Sequence, residues 1–130
     1  MKLDTVAVLA VGLGGFIGAV ARYNISEMMA SAKFPYGTLF VNVLGSLILG
    51  FIIFYPVSSG IISDQWRLFM CVGILGAFTT MSAFSAATYT QIENNELIKA
   101  SFNIILNVAG SILAVFAGKA IATAGYFSQA

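Results

Sequence analysis

The chain has 130 residues, of which 59% are hydrophobic and only 8% charged, and its formal net charge is +1. Soluble domains carry about 25% charged residues, so a soluble fold of this length could not hide the apolar surface. The near-neutral balance also offers no basic patch for nucleic acid. A single cysteine, Cys71, and the lack of histidine exclude an intramolecular disulfide and a His/Cys metal cluster.

The charges punctuate the chain. A spanning helix needs about 20 apolar residues at a rise of about 1.5 Å each. Four uncharged stretches, 5–21, 34–63, 68–92 and 100–118, approach or exceed that length. They predict an all-α membrane protein with four transmembrane helices over 5–29, 37–56, 66–91 and 98–124. Short loops join them into a single domain, residues 1–130.

Span one is rich in glycine. Gly14 and Gly18 form a GxxxG pair of the kind that lets helix backbones approach closely in lipid. Lys2, the apolar run and Ala19-Val20-Ala21 also have the outline of a signal peptide. The glycines at 12, 14, 15 and 18 suit helix packing better than a cleavable core. Arg22 ends this segment. It is either an interfacial residue whose head group snorkels to the membrane surface or a charge that draws anions into a vestibule.

Span two carries Thr38, Asn42 and Ser46 one turn apart, and Ser46 with Gly50 repeats the small-residue spacing that favours packing. Span three is interrupted by Gly76-Ala77-Phe78-Thr79-Thr80-Met81-Ser82-Ala83-Phe84-Ser85, in which four hydroxyl residues stand where plain aliphatic sequence would face lipid. Non-helical backbone at membrane depth survives only when buried in protein or lining a wet cavity. The run therefore predicts a broken third helix beside an ion or substrate path.

In span four Asn103, Asn107 and Ser111 recur every fourth residue, which places them on one helix face. Gly110, Ala114 and Gly118 read as packing positions. The polar stripes of spans two and four have two readings. They glue helices through hydrogen bonds worth about 0.6 kcal/mol each, or they line a narrow pore whose amide and hydroxyl donors replace the water an anion leaves behind. The uncharged runs hold no Asp, Glu or His. Proton-coupled transport needs a titratable group near mid-membrane, so passive conduction fits better.

Lysines and arginines normally set orientation. With four spans, Lys2, Arg67 and Lys119 fall on one side, and Arg22, Lys33 and Lys99 on the other. An unbiased chain can insert both ways up, and two opposed copies can pair as an antiparallel dimer.

Three segments together resemble the CrcB/Fluc family of fluoride ion channels. They are the Gly-rich run from Gly14 to Arg22, Gly37-Thr38-Leu39-Phe40-Val41-Asn42 followed by Gly45, and Gly73 to Ser85. The last is similar to the family's G-x-x-T-T-F-S-T-F-S pattern, and the likeness covers residues 14 to about 111. It implies an antiparallel, dual-topology homodimer with two pores and a central structural sodium ion, held by the backbone carbonyls of Gly76 and Thr79. It also implies a box of two phenylalanines whose ring edges, the positive side of the quadrupole, meet the anion. Phe84 matches the second position. Met81 stands at the first and Ala83 at the next altered position, so this chain departs from the pattern there. Either the homodimer conducts with one aromatic per pore, the reading favoured here, or the chain is half of a heterodimer.

Asn42 carries over to the family's pore asparagine. Thr38, Asn103, Asn107 and Ser111 join the pathway from their helical spacing, and Ser82 from the hydroxyl run. The expected mechanism is passive. Fluoride passes an Arg22 vestibule, hydroxyl and amide donors, and the Phe84 edge, leaving the cytoplasm of a microbe across its cell membrane. A small multidrug exporter would need a carboxylate in span one, and residues 5–21 have none. A non-transporting scaffold would leave Thr79-Thr80-Met81-Ser82 unexplained, and no nucleophile–base pair suggests an enzyme.

Overall fold

A computed structural model describes residues 4–31, 33–55 and 63–127, with side chains to 124. All regular structure among these residues is helical: α1 (Thr5–Met28), α2 (Tyr36–Phe54), α3 (Asp64–Arg67), a π-helical segment (Leu68–Leu75), α4 (Gly76–Phe78), α5 (Met81–Glu93) and α6 (Leu97–Phe127). Four runs are long and apolar enough to cross a membrane: Thr5–Met28, Tyr36–Phe54, Asp64–Glu93 and Leu97–Ala124. These match the four expected spans to within a few residues. Residue 56, the expected end of span two, lies outside the described residues, as does Lys2 of the charge count.

Local chemistry sets the ends. The Asp4 carboxylate accepts from the Val6 amide at 3.0 Å and caps α1. Pro35, at the N-cap of α2 with φ −78°, has no amide hydrogen to leave unpaired. Ser63 caps the third run through the Trp66 amide at 3.3 Å, so that run begins at Asp64, earlier than expected. Between α5 and α6, Asn95 adopts φ 58°, a left-handed conformation that asparagine tolerates well. The Glu96 amide then donates to the Gln91 carbonyl at 2.8 Å, so the chain reverses within three residues.

Two parallel pairs make the body. α1 packs along the π-helical segment and α4, and α2 packs along α6. Glycine makes both contacts possible. A Cβ on Gly18 would run into the Ile74 carbonyl, and one on Gly118 into the backbone of Leu47 and Phe51. The Gly14/Gly18 pair thus packs helices as the spacing implied. In α6, however, Gly110 is loose, for a Cβ there would meet only a Val43 methyl at 3.4 Å. α5 packs on α6, antiparallel to it.

The buried core is small and mostly made of short residues. Leu13, Phe16, Leu113 and Phe116 are each more than 60% exposed. Such faces would aggregate in water, whereas against lipid tails they cost nothing.

Candidate functional site

The site grows from two non-helical residues. α4 stops at Phe78; Thr79 (φ −80°, ψ 155°) and Thr80 (φ −148°, ψ 110°) are extended, and helix resumes at Met81. Peptide groups freed from helical pairing at this depth need other partners, and side chains of α1, of α2 and of the break itself supply them. The Thr79 amide and hydroxyl both donate to the Leu75 carbonyl, at 3.1 and 3.0 Å. Arg22 of α1 donates its Nε to the Ala77 carbonyl at 3.0 Å. Asn42 of α2 grips the Thr80 peptide on both sides: its Oδ1 accepts from the amide at 2.7 Å and its Nδ2 donates to the carbonyl at 3.2 Å. The Thr80 hydroxyl accepts from the Ala83 amide at 3.2 Å and caps α5. No described donor reaches the carbonyls of Gly76 or Thr79.

Beside this segment lies a cavity of about 300 Å³, lined by Asn42, Ser46, Leu49, Thr79, Thr80, Met81, Phe84, Asn107, Val108 and Ser111. Of the residues expected from sequence, the fold gathers Asn42, Thr79, Met81, Phe84, Asn107 and Ser111 here, and Gly76 is not on the wall. Phe84 is 7% exposed, so its ring is held by protein, while Met81 is 70% exposed. Ser82 is exposed, with its hydroxyl 3.2 Å from that of Thr80, and is not on the wall. Thr38, half-buried one turn before Asn42, does not line the cavity either, nor does Asn103, which is 0% exposed. Arg22 is tied to the Ala77 carbonyl, away from the wall.

Of the donors expected from sequence, the Ser111 hydroxyl remains free and the asparagine amides do not. Asn42 Nδ2 already donates to the Thr80 carbonyl and to Asn107 Oδ1 (2.8 Å). Asn107 Nδ2 is committed to the carbonyl and Oδ1 of Asn103, at 3.0 and 2.9 Å. An NH₂ group has two hydrogens, so both amides are spent within the protein. The hydroxyls of Ser46 and Ser111 have no described partner and face the cavity. Ser46 is therefore a wall residue as well as a small one. Its place one turn after Asn42 was the available signal, outweighed by its spacing to Gly50. Among the described residues, no Asp, Glu, Lys, Arg or Cys is on the wall. Its polar character comes entirely from neutral hydrogen-bonding groups.

Comparison with known proteins bears on this geometry directly. The family model described as CrcB-like protein, Camphor Resistance (CrcB) matches residues 9–119. That span contains all four helical runs, nearly whole, and every wall residue. The chain belongs to this family. Among its CrcB relatives, the protein named fluoride-specific ion channel FluC of Methanococcus maripaludis is 46% identical over 86% of this chain and 92% of its own length. FluC of Clostridium perfringens is 44% identical over 88% of this chain and 91% of its own. FluC 1 of Methanosarcina acetivorans is 41% identical over 86% and 87% respectively. The three-motif resemblance to the CrcB/Fluc channels is thus borne out, and this CrcB protein is a multi-pass membrane protein.

Proposed function

We propose that the chain is a fluoride-selective passive channel that exports cytoplasmic fluoride, and not an enzyme. One observation carries the reading most: an uncharged cavity beside extended backbone at membrane depth, whose free donors are the Ser46 and Ser111 hydroxyls and whose wall includes the buried Phe84 ring. Small, strongly hydrated fluoride needs donors that replace water over a short path. Hydroxyls and a positive ring edge stabilise an anion without binding it so tightly that it cannot leave. The names of the FluC relatives support fluoride as the ion.

The working unit is an antiparallel, dual-topology homodimer with two pores in the cell membrane of a microbe. The balanced Lys and Arg placement and the broad apolar faces support this arrangement. The unpaired carbonyls of Gly76 and Thr79 suit a structural sodium ion, since hard cations take backbone oxygens at helix breaks. When bound, such an ion would supply positive charge that offsets the cost of a nearby anion. Arg22 holds the end of α4 through the Ala77 carbonyl.

A second reading keeps the chemistry and changes the partner. Met81 is the most exposed wall residue named by sequence, and a different subunit carrying the second phenylalanine would complete the box there. Growth tests the proposal. Expression of this chain alone in a microbe lacking its own fluoride channel is expected to restore growth in fluoride. Membrane-inserted protein without rescue would contradict the homodimeric reading.

A further inference from the structure

The hydrogen bonds that start at the Thr80 amide do not end in the cavity. Thr80 N–H donates to Asn42 Oδ1 (2.7 Å), Asn42 Nδ2 to Asn107 Oδ1 (2.8 Å), and Asn107 Nδ2 to Asn103 Oδ1 (2.9 Å). Asn103 Nδ2 then donates to Thr88 Oγ1 (2.9 Å), and Thr88 Oγ1 to the Phe84 carbonyl (2.8 Å). All five bonds point the same way. Each side chain accepts from the one before and donates to the next, so every bond polarises its successor. The route leaves the N-cap of α5, crosses to α2, passes along α6 and returns to α5. Both ends lie on residues 80–84, the segment that presents Met81 and Phe84 to the cavity.

Neither Thr88 nor Asn103 lines that cavity; Thr88 borders an apolar groove between α5 and α6 instead. Thr88, Asn103 and Asn107 are 8%, 0% and 4% exposed. Buried polar groups at such positions cost stability unless paired, and these are paired in one continuous path. We infer that Thr88 and Asn103 are positioning residues: the relay from Thr80 to Phe84 fixes the first turn of α5 and with it the Phe84 ring at the cavity wall. The amide stripe of α6 thus serves the ion pathway from behind, and its members further from the wall are not ion ligands. Thr88 has a plain sequence signal, one turn after Phe84, where a threonine hydroxyl can bond back to the carbonyl four residues earlier.

The inference rests on the channel reading above, so its test has one arm that needs no transport. Thr88→Val keeps the shape and removes the hydroxyl, and Thr88→Ser keeps the hydroxyl. Each is purified as assembled protein, and fluoride efflux from liposomes is expressed per assembled channel. Thr88→Val is expected to slow efflux about tenfold, the equivalent of one buried hydrogen bond, while Thr88→Ser stays within about twofold. A role confined to stability would lower the yield of assembled protein and leave the rate per channel unmoved. In the second arm, amide hydrogen exchange over residues 80–84 is expected to be faster in Thr88→Val than in Thr88→Ser or the unmutated chain. Equal rates and equal exchange in the two variants would overturn the relay. If the unmutated chain moves no fluoride, the channel reading fails, and the exchange arm alone decides the relay: faster exchange in Thr88→Val upholds it, and equal exchange overturns it.

Discussion

Phe84 is where the channel account is most exposed at the scale of single residues. Its ring is buried in protein yet borders the cavity, so Phe84→Ile removes the positive edge with little loss of apolar volume. Fluoride efflux is expected to fall at least about tenfold in assembled protein, a change that corresponds to one lost anion contact of about 1.4 kcal/mol. Unchanged efflux would take Phe84 out of the pathway. Ser46→Ala and Ser111→Ala each remove a free donor and are expected to slow fluoride several-fold without altering assembly, as liposome efflux and gel filtration together would show. Asn42→Leu acts differently. It strands the Thr80 amide and carbonyl, at a cost of about 1–3 kcal/mol for each buried group left unpaired, so loss of thermal stability is expected alongside loss of flux. The stripes Asn103–Asn107–Ser111 and Thr38–Asn42–Ser46 were legible in the sequence because a four-residue spacing defines a helix face. Their division of labour was not, because spacing does not say which hydrogens are already taken. Only the distances show that the two wall asparagines spend theirs on the protein.

Helices are the scale at which the sequence was clearest. Few charges and long uncharged runs left little freedom in the spans, and the boundaries moved only where a cap intervened, as Ser63 did for the third run. The π-helical winding of Leu68–Leu75 had no signal, since that run is uniformly apolar apart from Gly73 and its partner α1 meets it through Gly14 and Gly18. Small residues announce close packing without saying which of them bears it. Two substitutions in α6 separate the cases. A Cβ at position 118 would collide with the backbone of α2, and one at 110 would only touch Val43. Gly118→Ala is expected to cost about 1–3 kcal/mol, the usual range for overpacking, and to lower the thermal midpoint in detergent. Gly110→Ala is expected to be neutral or to stabilise by up to about 1 kcal/mol through helix propensity. Equal midpoints for the two variants would show that α2 and α6 do not meet as closely as described.

For the whole molecule, charge placement is the distinctive quantity. Six lysines and arginines divide evenly between the two sides of the membrane, so orientation hangs on small differences. Added lysines at the C-terminus are expected to force one orientation and abolish fluoride resistance, and a copy biased the opposite way is expected to restore it on co-expression. Resistance conferred by one fixed orientation alone would exclude the antiparallel pair. The neutral cavity wall has a further consequence. With no titratable side chain on it, fluoride current is expected to stay nearly constant between about pH 6 and about pH 8, a range in which only histidine-like groups would titrate. A steep change would reveal an ionisable group in the path. Passive, selective fluoride conduction is read out by efflux from liposomes that contain only this purified chain, with chloride efflux as the control. Rapid loss of fluoride with chloride retained is expected, and it would show that Met81 serves where a second phenylalanine is usual. Retention of both ions by correctly assembled protein would contradict it.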